Sequence, residues 1–237
     1  MSNKLIPPVA EEKVLQWYPF AEGEGDVVGY GGGERNGPSW VEGEWMGGYA
    51  LDADGTDDNV VTTTWGEFPE RLNKEPWSFA FTASDYSSSS GRIMGTEDDD
   101  GVVFEIDNSG SFNGSQGLHI PQFTFRLLDP HNDFVSYQCN TDLRDVDTVR
   151  MVFTCEGLLT PSNCEWWVDG VSDGLHVTGG LEEDNFEDDF EEFKAPVTFF
   201  SKNDVSYEDM ILDDIIVYGD SLTPSEIQAD YQRQPWS

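Results

Sequence analysis

Apolar, β-branched and aromatic residues in this chain come in short runs and almost never at helical spacing. The runs are Val14–Tyr18, Asn59–Thr64, Ser78–Thr82, Val102–Ile106, Gln122–Leu127, Phe134–Gln138, Thr148–Thr154, Glu165–Val168, Pro196–Ser201 and Asp214–Tyr218. Gly, Asp, Asn, Ser and Pro fill the gaps, and each of these bends a backbone by its own mechanism. About ten short strands at this spacing predict an all-β fold, a two-sheet antiparallel β-sandwich. Within Val102–Ile106 the alternation sets Val102, Phe104 and Ile106 on one face. Ser87–Ser90 and Glu97–Gly101 read as hairpin loops, and Glu182–Glu192 as a longer acidic loop. One helix signal stands out, at the C-terminal end. Thr223-Pro224-Ser225-Glu226 offers an N-cap Thr, a Pro in the first helical position and a Glu that completes a capping box. Ile227 and Tyr231, four apart, would return that short C-terminal helix to the sandwich. No repeat or composition break divides the chain, so one domain over 14–233 is expected, with an arm over 1–13 and a tail over 234–237.

Charge limits what such a sandwich can meet. Acidic residues number 47 against 12 basic ones, a net charge of −35. Spread over a globule of this mass, that is about one net negative charge per 300 Å². Nucleic acid and anionic membranes are repelled by such a field. No apolar run approaches the roughly 18 residues of a membrane span, so no insertion is expected. The opening segment breaks at Pro7 and Pro8 without an apolar core, which predicts no secretory signal. Disorder is excluded too, because 37% hydrophobic and 13% aromatic residues are enough to build a core. The acids therefore belong on a folded surface, where they repel one another at ordinary salt. At molar salt the Debye length falls to about 3 Å and most of that repulsion disappears. With only 5 lysines among the bases, the composition points to a high-salt organism or its virus. An acidic protein of an ordinary organism is the competing reading.

Three cysteines cannot all pair within one chain. Cys155 and Cys164 flank a Gly- and Pro-containing turn between two apolar strands, so they can face each other, as a disulfide or as two buried thiols. Cys139 is left over. No spacing suggests zinc.

Four collinear segments carry a resemblance. Leu212-Asp213-Asp214-Ile215-Ile216-Val217-Tyr218, followed by Leu222-Thr223-Pro224-Ser225-Glu226-Ile227, resembles the closing strand and helix of laminin-G-like, concanavalin A-like lectin (jelly-roll) domains. Trp17-Tyr18-Pro19-Phe20-Ala21-Glu22-Gly23 is similar to their opening strand, and Ala50-Leu51-Asp52-Ala53-Asp54-Gly55 to an A-L-x-F-D-G strand. Trp166-Trp167-Val168-Asp169-Gly170-Val171 is similar to their Y-V-D-G-V hairpin. The likeness runs from about Val14 to Gln232. It implies two antiparallel sheets of about six or seven strands, one of them concave. Such domains commonly bind glycans or protein partners, often with calcium, and some are inert spacers. The family's W-H-H-V segment is replaced here by Thr148–Phe153, so no ligand residue is carried over from it.

Three kinds of site are candidates. Asp52, Asp54, Asp57 and Asp58, or the paired Asp213 and Asp214, supply the hard oxygens that Ca²⁺ takes. This is not an EF-hand: Thr56 stands in the fifth position and no Glu closes the loop. The competing reading has Asp54 and Asp169, each before a Gly, holding turns by side-chain to backbone hydrogen bonds. Glu187-Asp188-Asp189-Phe190-Glu191-Glu192 formally fits the E-x-D-x-x-E pattern of sandwich-fold glucanases. Retaining chemistry requires two carboxyls about 5 Å apart in a dry cleft. Here the match sits in a run of acids beside Gly179-Gly180, where a solvated loop is expected. No Gly-x-Ser-x-Gly elbow occurs, and His119, His131 and His176 lack a nucleophile partner, so no enzyme is expected. Last, tryptophans can stack on sugar rings. Trp40 and Trp45, in the Gly-rich stretch Gly31–Gly48, and one of Trp166 and Trp167, with Trp167 chosen, are the candidates for the surface.

Together these readings predict a non-enzymatic virion structural protein of a halophilic virus: a capsid decoration, turret or tail-associated protein, made in the host cytoplasm. Its lectin-like sandwich would form a homo-oligomer and contact other virion proteins or host-surface glycans, with the arm Ser2–Lys13 docking on neighbours. The alternative is a freestanding carbohydrate-binding lectin module, extracellular. A glycoside hydrolase acting through Glu187 and Glu192 is the third.

Overall fold

A computed structural model describes residues 8–20, 22–25, 32–43, 45, 48–62, 65, 68–72, 74–85, 91–96, 104–112, 115–126, 134–142, 147–180, 196–201 and 209–233. Among the described residues two eight-stranded antiparallel sheets face each other. Sheet A is built from β1 (Val14–Tyr18), β3 (Ser39–Glu42), β4 (Tyr49–Asp54), β6 (Trp77–Ser84), β11 (Thr148–Cys155), β12 (Cys164–Val168), β13 (Val171–Gly174) and β16 (Asp209–Tyr218). Sheet B is built from β2 (Gly33–Asn36), β5 (Asn59–Thr62), β7 (Arg92–Thr96), β8 (Phe104–Phe112), β9 (Ser115–Arg126), β10 (Phe134–Gln138), β14 (His176–Gly180) and β15 (Val197–Phe199). Their orders are β13-β12-β11-β6-β16-β4-β3, with β1 also on β16, and β14-β10-β9-β8-β7-β15-β5-β2. A one-turn helix, α1 (Phe68–Arg71), precedes β6, and α2 (Pro224–Tyr231) ends the domain. The all-β, two-sheet architecture with one C-terminal helix is that expected from the strand spacing. Among the described residues no helix is long and apolar enough to cross a membrane.

Alternation explains the layers. From sheet A, Trp77, Phe79, Phe81, Val149, Met151, Phe153 and Trp166 point inward and are fully buried. They meet Met94, Ile106, Tyr137, Val197 and Phe199 of sheet B in one core. Large aromatic faces dominate it: Phe153 meets Trp166 edge-on at 5.0 Å, and Trp65 stacks on Phe79 at 5.7 Å. The other face of sheet A is covered by α2. Ala80, Val152, Ile216, Tyr218, Leu222 and Ile227 form a second apolar cluster there, with Trp17 and Trp167 packed against its rim. The capping box forms as read: the Thr223 hydroxyl accepts from the Glu226 backbone, and the Glu226 carboxylate accepts from the Thr223 N–H over 2.7 Å. At the β12–β13 hairpin, Asp169 and Gly170 both take positive φ, 50° and 78°, the conformation of a two-residue type I′ turn.

β16 is the central strand of sheet A, and one of its edges is shared. β6 runs along one side. On the other, β4 pairs with the first half, ending at Leu212↔Leu51, and β1 takes over at Ile215↔Tyr18. Asp213 and Asp214 occupy the interval, and Asp214 adopts a positive φ of 46° there. Both side chains turn to the outer face and are buried. Under α2, Asp214 enters a four-membered ion cluster. Arg150 Nη2 lies 3.2 Å from Asp214 Oδ2, and Arg150 Nε lies 2.7 Å from Asp230 Oδ2. Arg233 Nε lies 3.0 Å from Asp230 Oδ1, and Arg233 also pairs with Asp214. Charges withdrawn from water in this way are tolerable because each has at least two partners.

Candidate functional site

The outer face of sheet B carries what an exposed sheet face does not need: buried polar side chains. Because Ile106, Met94, Val135 and Tyr137 point into the core, their strand neighbours Glu105, Ser136 and Gln138 point away from it. Yet Arg92 and Gln138 are fully buried, and Glu105 and Ser136 are only 3% and 2% exposed. A bulge between Arg92 and Met94 returns Arg92 to the outer face, opposite Asp107. From there its Nη2 donates to Glu105 Oε2 over 2.6 Å.

Register aligns these residues across strands. His176 pairs with Gln138, Gln138 with Gln122, Gln122 with Asp107, and Asp107 with Arg92. Five strands at about 4.8 Å spacing make a polar row about 19 Å long. The adjoining row runs Gly179, Ser136, Thr124, Glu105, Gly95, Thr198. Gly95 lies inside a strand beside Glu105, where a missing side chain leaves room for close approach. Asp107 and His176 are half-buried and give the row access to solvent. Carboxylate, amide and guanidinium groups are planar and can each make two hydrogen bonds, the arrangement that holds adjacent hydroxyls.

The calcium candidates divide. Asp54, Asp57 and Asp58 each bring a carboxylate oxygen within 4.8 Å of the others. Such oxygens suit a hard cation. Their hydrogen bonds are those of a turn: Asp54 Oδ1 accepts from the Thr56 N–H over 2.9 Å, and Asp58 Oδ2 from the Asp54 N–H over 2.8 Å. Gly37, at φ 97°, passes so close that a Cβ there would lie 1.9 Å from Asp58 Oδ1. Burial, then the charges of Asp85, Asp209, Asp58 and Asp54, push the Asp52 carboxyl above its ordinary range. Burial does the same to Asp58, helped by Asp54 and Asp57 and opposed by the Asp54 N–H and Arg35. Of the other pair, one member is corrected. Asp214 is not an open cation ligand, because Arg150, Arg233 and the Trp17 indole, at 2.7 Å, occupy its carboxylate.

The tryptophans divide as well. Trp167 is half-buried on the outer face of sheet A while its neighbour Trp166 fills the core, as alternation requires. Trp40 is half-buried. Its Nε1 donates to the Gly25 carbonyl over 3.1 Å, and the Arg35 guanidinium lies 5.9 Å from its ring centre. Trp45 is corrected from surface to interior. It is 3% exposed and packs on Tyr231 of α2 at 5.4 Å between ring centres. Cys155 and Cys164 face each other as free thiols, Sγ to Sγ 3.6 Å. Glu187 and Glu192 lie outside the described residues. The E-x-D spacing sought there recurs at Glu105-Ile106-Asp107, on a strand of alternating character. Sequence reading marked the apolar positions of that strand and passed over the polar residues between them.

No protein-family model matches the sequence, and no curated protein is recognisably similar to it. Solved structures do match in fold. The binding domain of Paraclostridial Mosquitocidal Protein 1 aligns over 93% of this chain and 52% of its own, at a TM-score of 0.66 and 10% identity. Domain 4 of AbnA, an extracellular arabinanase from Geobacillus stearothermophilus solved with arabinotriose, aligns over 93% of this chain and 98% of its own, at 0.58 and 13%. The botulinum neurotoxin serotype D ligand-binding domain, solved with N-acetylneuraminic acid, aligns at 0.63 and 8% identity. A Trypanosoma rangeli sialidase aligns at 0.57. The chain spans about half the length of the toxin domains it matches. At these identities the shared property is the fold, a lectin-like β-sandwich.

Proposed function

We propose that this protein is a non-enzymatic, lectin-like domain that binds a glycan across the outer face of sheet B. The observation that carries this reading is the buried polar row itself, Arg92 with Glu105, then Asp107, Gln138 and His176. Asp107 and His176 are half-buried and within a ligand's reach, while the buried Arg92–Glu105 pair fastens β7 to β8. That neighbours of the same fold were solved with arabinotriose and with N-acetylneuraminic acid supports it. The direct test is titration of oligosaccharides in molar salt. Binding is expected, weakened about tenfold or more by Asp107→Ala, which removes a half-buried carboxylate of the row. A folded protein that binds no sugar would end the proposal.

The setting we propose is the surface of a halophilic virus particle, where the domain meets other virion proteins or host-surface glycans. The acid excess supports it. A freestanding carbohydrate-binding module is the second reading, favoured by the match to nearly all of the AbnA domain. Light-scattering mass in molar salt, with and without a calcium chelator, separates them. A closed homo-oligomer supports the virion setting and a monomer the module. Dissociation on chelation would assign calcium a structural place, for which Asp54, Asp57 and Asp58 are the candidates.

A further inference from the structure

Resting on the lectin reading, we propose a second sugar contact, apart from the row on sheet B: a sugar ring stacks on the exposed face of Tyr49, at the start of β4. Alternation along that strand sets Tyr49 on the same face as the core residues Leu51 and Ala53, yet Tyr49 is 44% exposed. One face of its ring is backed. A Cβ placed on Gly23 would lie 2.2, 2.3 and 2.5 Å from Tyr49 Cε2, Cδ2 and Cζ. Near-equal distances to three consecutive ring atoms put that point over the ring rather than beyond its edge. Gly23, at φ 69°, therefore lies against one face, and the exposure belongs to the other face and the rim.

The backing segment is itself held. The Gly25 carbonyl accepts from Trp40 Nε1 over 3.1 Å and from Arg35 Nε over 3.0 Å. Through the pairs Trp40↔Leu51 and Glu42↔Tyr49, Trp40 stands diagonal to Tyr49 on one sheet face and positions the platform from below. Carboxylates edge the ring. The Gly43 N–H donates to the Gly48 carbonyl over 3.1 Å, which makes Glu42 and Tyr49 the closer, non-hydrogen-bonded kind of pair, with Cα atoms about 4.5 Å apart. Glu42 is exposed, as is Glu24 between the two glycines. An aromatic plane fixed from behind and edged by acceptors matches a sugar. The apolar C–H face packs on the ring, and the hydroxyls around it donate to Glu42 and Glu24. A ring already held in place loses little freedom on binding. The other exposed large hydrophobics, Val61, Leu158, Val171 and Val177, stand on other elements, and one ring falls far short of the about 800 Å² that a protein partner covers.

The test follows the Tyr49 ring resonances, assigned by their loss in Tyr49→Ala, while cellotriose, galactotriose, mannotriose and arabinotriose are titrated in molar sodium chloride. At least one trisaccharide should shift them. Tyr49→Ala should weaken that binding about tenfold, and Tyr49→Phe by less. Gly23→Ala, which drives a methyl into the ring, should weaken it too; if that variant fails to fold, the two Tyr49 variants still decide. Binding that leaves the Tyr49 resonances unmoved, survives Tyr49→Ala and is lost in Asp107→Ala would overturn this contact and leave the row on sheet B standing. Loss in Tyr49→Ala with Asp107→Ala silent would support this contact and overturn the row. A fall in oligomeric mass in Tyr49→Ala with sugar binding unchanged would make Tyr49 a protein contact and overturn the inference. No binding by any trisaccharide would overturn both.

Discussion

Arg150 and Asp230 stand 80 residues apart in the chain and meet as a fully buried ion pair, Nε to Oδ2 at 2.7 Å. The contact fastens α2 to the middle of sheet A. Asp230→Ala leaves Arg150 and Arg233 short of a partner in a dry site, and should cost about 3–5 kcal/mol of stability by denaturant unfolding. Replacing Arg150, Arg233, Asp214 and Asp230 together with apolar residues should cost less than the single change. A loss below about 1 kcal/mol for Asp230→Ala would mean that water reaches the cluster.

Acid should act on the protein in two opposite ways. Burial alone would raise the Asp230 carboxyl, but the charges of Arg150 and Arg233 outweigh it and hold the group below its ordinary range. Its contribution is therefore complete above the unfolded value near 3.9 and is lost as pH falls through the lower folded value. Asp52 and Asp58 are shifted upward, by burial first and by neighbouring acids second. In the window above that unfolded value the folded state holds more protons than the unfolded chain, so stability rises as pH falls. Melting temperature at low salt should climb on mild acidification and collapse below about pH 4. Asp52→Asn should flatten the climb. A steady fall from pH 8 downward would contradict the assignment of Asp52 and Asp58.

Salt should matter more than for an ordinary domain. With a net charge of −35, dialysis from molar to millimolar salt lengthens the Debye length several-fold and restores surface repulsion. The melting temperature should drop, and the drop should shrink when surface acids are neutralised. A flat response would remove the high-salt reading.

Cys155 and Cys164 are set for a bond they have not made. The Glu156 N–H donates to the Asn163 carbonyl over 2.9 Å, which makes the neighbouring 155–164 pair the closer, non-hydrogen-bonded kind, with Cα atoms about 4.5 Å apart. Burial and the neighbouring thiol raise the Cys164 thiol well above its ordinary range, so attack should be slow until the hairpin opens. Under oxidised glutathione the two thiols lose two protons and two electrons, an S–S bond forms, and glutathione disulfide is reduced to two thiols. Titratable thiols should fall from three to one, with a gain of about 2–3 kcal/mol in stability. Three thiols persisting after oxidation in mild denaturant would show that the facing geometry does not close.

What could be read from the chain follows the range of each cause. Strands β1 and β10 match their sequence runs residue for residue, and the Thr223 capping box forms as read, because alternation and capping are local. β7 was missed: Arg92-Ile93-Met94-Gly95-Thr96 alternates poorly, and a bulge interrupts it. β13, Val171-Ser172-Asp173-Gly174, has the composition of a turn. Site residues were harder. Asp214 looked like a cation ligand because its partners, Arg150 and Arg233, are distant in sequence. Trp45 was indistinguishable from Trp40 until Tyr231 arrived from α2 to cover it. Glu105 was hidden among 47 acids, and only its place between Phe104 and Ile106 on a strand sets it apart.

β1 and β16 are neighbours in one sheet, and Lys13, just before β1, reaches Glu226 in the first turn of α2 over 3.1 Å, so the first strand and the last helix of the described residues lie side by side. A short peptide joining the two ends would make a ring, and that ring could be cut in the Asp169-Gly170 turn without breaking a strand. Such a circular permutant should fold. The same layout lets the whole sandwich be spliced into a surface loop of another protein, entering and leaving through a single doorway.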